Sequence, residues 1–139
     1  MAVLDYEDLS HDEKTAQTTT GELSAFKDGT MIFQTNTVHY FRMSDAAFLI
    51  GDKDNQHVAL SFPAKLQNGG PYIVNYKKDV VTLPSYLRWA VQVGGQHHFV
   101  EDGELSVTLN NYKQALGTYR VTLENDGGTV IGSFNMTND

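Results

Sequence analysis

A chain of 139 residues, 40% of them apolar and none cysteine, is long enough for one domain whose core needs no disulfide staples. It offers no thiolate for catalysis or metal binding. A net charge of −7 argues against nucleic acid as a partner, because phosphate recognition needs a basic face. No window approaches the roughly 18 consecutive apolar residues of a membrane helix, and the start, MAVLDYEDLSHDEK, lacks the basic-then-apolar layout of a secretory signal. The expectation is therefore no membrane span and a cytoplasmic location.

The charge is uneven. Residues 1–28 hold Asp5, Glu7, Asp8, Asp12, Glu13, Glu22 and Asp28 against only Lys14 and Lys27. Ser10 with Glu13 three positions on has the spacing of a helix capping box, but the threonines that follow disfavour helix. Residues 1–20 are thus expected to form a short polar arm, flexible or partly helical, ahead of one β domain over 21–139.

From there strand signals recur. Residues 22–27 and 30–35 flank Asp28-Gly29, a dipeptide suited to a tight hairpin because both positions tolerate positive φ. Residues 38–43 are aromatic and β-branched. Residues 46–50 form a continuous apolar run, which needs a cover on each face. After a turn at 52–56 come strands over 57–62 and 72–76, separated by the loop signal Asn68-Gly69-Gly70-Pro71. Residues 86–93 alternate, with Trp89, Leu87 and Val91 on the core side. Gly94-Gly95 makes a hairpin into 97–101, and Asp102-Gly103 is expected to turn the chain again.

The last third alternates most regularly. Leu105, Val107 and Leu109 share a face, then Tyr119, Val121 and Leu123, then Val130, Gly132, Phe134 and Met136. A period of two marks strands buried on one side, here an antiparallel meander. Many short strands with turns between them predict an all-β fold: an antiparallel two-sheet β-sandwich, with a barrel as the alternative.

Three pieces together carry a resemblance. They are Phe48-Leu49-Ile50-Gly51 with the strand over 57–62, Gly70-Pro71-Tyr72-Ile73-Val74, and the pair Leu116-Gly117-Thr118-Tyr119 with Ile131-Gly132-Ser133-Phe134. In these the chain resembles small bacterial all-β domains of unknown function that end in a Gly-Ser/Thr-Phe strand after a Gly-rich turn. The resemblance implies the fold and brings no catalytic residue with it.

No nucleophile elbow or metalloprotease helix motif is present. The sequence points first to a non-enzymatic binding or interaction module for a protein or carbohydrate. Tyr76, Tyr86, Arg88 and Gln92 are its candidate ligand-binding residues, because tyrosine and arginine give flat amphipathic contact area. The rival is a small metal-dependent hydrolase using His97 and Glu101, which share a strand face, with His57 or His39 arriving from another strand. Asp52 and Asp54 are further oxygen donors, although His57 and Pro63 occupy the sixth and twelfth positions where an EF-hand needs Gly and Glu. No cofactor is expected. A homodimer is expected if one face of 46–50 is left open.

Overall fold

The computed structural model describes residues 2–43 and 45–139. In chain order its strands are β1 (Ala2–Leu4), β2 (Thr19–Lys27), β3 (Thr30–Thr35), β4 (Val38–Met43), β5 (Ala46–Lys53), β6 (Gln56–Pro63), β7 (Gly69–Tyr76), β8 (Ser85–Leu87), β9 (Ala90–Val93), β10 (Gln96–Asn110), β11 (Gln114–Leu123) and β12 (Gly128–Asn138). A 3₁₀ turn, Tyr6–Asp8, and the one-turn helix α1, His11–Lys14, lie between β1 and β2. The protein is all-β. Of the two architectures the pattern allows, it takes the barrel-like one: a single sheet in the order β3-β2-β12-β11-β10-β9-β6-β5-β4, with β7 also on β10. The β4 edge of the sheet comes round to β2 and β12, and side chains bridge the seam. Thr19 Oγ1 donates to Asn138 Oδ1 and accepts from the Tyr40 N–H, while Asn138 Nδ2 donates to the Tyr40 carbonyl.

The turn chemistry explains the tight hairpins. Asp28-Gly29, Asp54-Asn55 and Gly94-Gly95 each supply the two positive φ angles of a two-residue connection, and each joins strands that pair up to the turn. Asp102-Gly103 behaves otherwise, and here the expectation needs correcting. β10 runs straight through it, with a bulge between Val100 and Asp102. Its first part pairs with β9 and its later part with β7. Gly103 is there for packing, because a Cβ would crowd Val121 and the Trp89 ring.

The inner face of the barrel carries the main core, with Trp89, Tyr119, Leu105, Val107 and Phe62 fully or almost fully buried. Strand β5 serves two cores at once. Ala47 and Leu49 point inward, while Ala46, Phe48 and Ile50 face a second cluster with Phe41, Leu87 and Leu9. The second cover that residues 46–50 require is therefore supplied within the chain, by the N-terminal arm. β1 pairs in parallel with β8, Leu9 is buried, and Leu4 and Tyr6 pack on the same cluster. The premise for a homodimer drawn from this run falls away. The Ser10 capping box is formed, with Glu13 N–H on Ser10 Oγ and Ser10 N–H on Glu13 Oε1.

Gly132 sets a limit on the closing meander. It faces Tyr119 across β11–β12, and the Tyr119 hydroxyl donates to the Ser24 carbonyl at 2.7 Å. A Cβ at 132 would run into that hydroxyl and into the Ser24 carbonyl. Because the obstacles are backbone and a fully packed ring, Gly132→Ala is expected to destabilise the fold by about 3 kcal/mol or more, read as a lower urea midpoint with little change in slope.

Candidate functional site

The site grows from a cross-strand row. His57 on β6 pairs with Gln92 on β9, and Gln92 pairs with His97 on β10. Directly opposed residues of antiparallel strands project to one side, so the three side chains share a face. Gln92 leans away, its Nε2 donating to the Asn55 carbonyl at 2.9 Å. The two imidazoles approach over the gap, with ring centroids 5.8 Å apart. Phe99, two residues beyond His97, meets its ring edge-on at 4.7 Å.

The arm lies over this row. Tyr6 stacks flat on His57 at 3.8 Å, and Glu7 brings a carboxylate to the pair. One donor atom each from Glu7, His57 and His97 lies within 4.8 Å of the others, the sole such group of three among the described residues. Two anchors hold the arm here. Arg88 grips Asp5 through Nε and Nη2 at 2.6 and 2.7 Å while its guanidinium sits 3.8 Å from the Phe99 ring centre. On the other side Asp52 collects three donors: His39 Nε2 on Oδ1 at 3.1 Å, and Tyr6 hydroxyl and Lys14 Nζ on Oδ2 at 2.6 and 3.1 Å.

Burial alone would raise the Asp52 carboxyl, but its contacts with His39, Tyr6 and Lys14 outweigh that and hold it well below the usual carboxylate range. His57 is also lowered, against the direction a negative partner gives a histidine. Burial pushes its imidazole down to about 4, although the negative charge of Glu7 opposes the shift. Its Nε2 is buried with no hydrogen-bond partner, the only such side-chain atom among the described residues.

Beside the row, between the arm and the β5–β6 turn, is an open cavity of about 450 Å³, lined by Glu7, Asp52, Asp54, Asn55, Gln56, His57 and Gln92 with their neighbours. The sequence candidates divide around it. Gln92, Asp52 and Asp54 line it, and His97 stands next to it through His57. Asp52 already has both oxygens engaged. Arg88 is on the same face but is taken up by Asp5. Tyr86 is half-buried against the main core. Tyr76 lies inside, 6% exposed and stacked on Trp89 at 4.8 Å, where burial pushes its hydroxyl up to about 12. Glu101 is exposed beyond Phe99 and does not join the His57–His97 pair. Glu7 takes the carboxylate position instead. Sequence reasoning reads Glu7 as one acid in a solvated tail, and no local signal distinguishes it.

No protein-family model matches the chain, and no characterised protein or solved structure shows significant similarity to it. No helix among the described residues is long and apolar enough to cross a membrane.

The His57 shift has a consequence for stability. The unfolded imidazole titrates near 6.5 and the folded one near 4, so across that window the unfolded chain binds a proton that the folded chain does not. Stability then falls as pH drops from 6.5 to 4 and gains nothing further from this group above that range. His57→Phe keeps a flat ring under Tyr6 and removes the titration. Urea unfolding followed across this range should show a shallower loss for the variant than for the wild type. Parallel curves would refute the assignment.

Proposed function

We propose that the chain is a binding module that takes a carbohydrate in the cavity between the N-terminal arm and the β5–β6 turn. One observation carries this reading: the cavity wall presents three carboxamide side chains, Asn55, Gln56 and Gln92, together with Asp54. Two of the amides are half used. Gln92 donates through Nε2 and Gln56 accepts through Oε1 from the Gly94 N–H. Among the described residues the Gln92 oxygen and the Gln56 NH₂ group have no protein partner. Sugar hydroxyls both donate and accept, so they suit an acceptor and a donor fixed near each other. The volume falls within the range of roughly 300–1,000 Å³ common for small-ligand sites. A binder is favoured over a hydrolase because Asp52, a carboxylate in the cavity wall, has both oxygens engaged, by His39 on β4 and by Tyr6 and Lys14 of the arm.

A glycan array with the full chain tests the reading. A hit is expected, weakened at least tenfold by Gln92→Leu and unaffected by Tyr112→Asn, which removes an aromatic ring that is 78% exposed in the β10–β11 turn. A flat array overturns the reading in favour of a protein ligand. Loss of binding in Tyr112→Asn with retention in Gln92→Leu moves the site from the cavity to an exposed aromatic surface.

A further inference from the structure

We infer that Glu7, His57 and His97 form a binding site for one divalent transition-metal ion of the zinc class. The inference is independent of the carbohydrate reading, since it rests on a different set of donors and is tested without a sugar.

Two imidazoles and one carboxylate form a donor set that recurs in zinc sites, with remaining positions left to solvent. Calcium and magnesium prefer all-oxygen surroundings, so paired imidazoles select against them. The three donor atoms already lie within 4.8 Å of one another. A tetrahedral ion with ligands at about 2.1 Å spaces its donors about 3.4 Å apart. Closing the difference takes a movement of about an ångström, and Glu7 and His97 can supply it because both reach solvent.

The second, separate observation is His57 itself. The residue is 2% exposed, and its Nε2 has no partner in the fold. A buried polar atom left unsatisfied in an otherwise well-paired structure calls for a specific cause, an ion among them. The ring cannot turn freely in search of another partner. Tyr6 covers one face at 3.8 Å, and Tyr6 is fixed in turn by Asp52 at 2.6 Å. A pre-oriented imidazole with an unused nitrogen beside a second imidazole and a carboxylate is arranged for coordination.

The experiment uses the full chain, stripped with a chelator and dialysed, then titrated with zinc by calorimetry and with cobalt(II) by its visible absorption. One equivalent of zinc is expected, with a tetrahedral cobalt spectrum. Glu7→Gln and His97→Ala should each weaken zinc binding by about tenfold or more, while His11→Ala, at an exposed histidine on α1, leaves it unchanged. Both test variants alter solvent-reaching side chains, so their metal-free unfolding midpoints should match the wild type and separate lost ligation from lost folding. Absence of stoichiometric zinc, or zinc binding that survives both substitutions, overturns the inference.

Discussion

Strand β5 is apolar on both faces, and most of what is distinctive in this protein follows from covering the second one. A strand at the wall of a β-barrel has one face in the core by construction. The other normally faces water and carries polar residues. Here Ala46, Phe48 and Ile50 occupy that outer face and are buried completely or nearly so. The chain meets the demand with its own first residues, through Leu4, Tyr6 and Leu9. Burial of a leucine side chain is worth roughly 1.5–3 kcal/mol. The Arg88–Asp5 pair is partly exposed, with the two side chains 39% and 27% accessible, and pairs of that kind contribute about 1 kcal/mol or less. The hydrophobic cover therefore holds the arm down, and the ion pair sets where it lies.

Docking of the arm has a chemical by-product. Leu4 and Leu9 take up the apolar demand, and the residues between them are carried over the neighbouring strands. Tyr6 lands on His57 and Glu7 reaches the space in front of His97. The acidic composition of the arm looks like a solubilising tail when its charges are counted, yet its individual groups are complementary to what lies beneath. Asp5 meets Arg88, and Lys14 with Tyr6 meets Asp52. Net charge describes a surface at long range and is blind to pairings of this kind.

The difference between the legible and the illegible parts of the fold is one of sequence separation. The closing meander could be read because its alternation is local, and the β2–β3 hairpin because Asp28-Gly29 carries its own φ requirement. The double burial of residues 46–50 was also legible, since an unbroken apolar run states its need directly. What supplies the cover was not, because nothing in Leu4 or Leu9 names β5 as the partner. Asp102-Gly103 misled for a related reason. The same dipeptide serves a turn or a crowded point beside a bulge, and only the Trp89 and Val121 side chains, which arrive from other strands, decide between them. His97 was recognisable as a donor with a second-strand histidine to come. That the partner is His57 depends on the register of β6, β9 and β10, and that the carboxylate is Glu7 rather than Glu101 depends on the arm.

These relations make the site a joint between two bodies rather than a pocket in one. His57, Gln92 and His97 sit on hydrogen-bonded strands whose relative positions are fixed by the ladder. Glu7 sits on a short 3₁₀ turn that lies outside this ladder, between Leu4, whose carbonyl accepts from the Arg88 N–H, and the buried Leu9. A ligand touching only the strands would leave the arm as it is, whereas one that also engages Glu7 would add its binding energy to the docking of the arm. The arm in turn is what closes the outer face of β5. Occupancy of the site and integrity of the second core are thus coupled through one segment, and any ligand that needs Glu7 would stabilise the outer core as well.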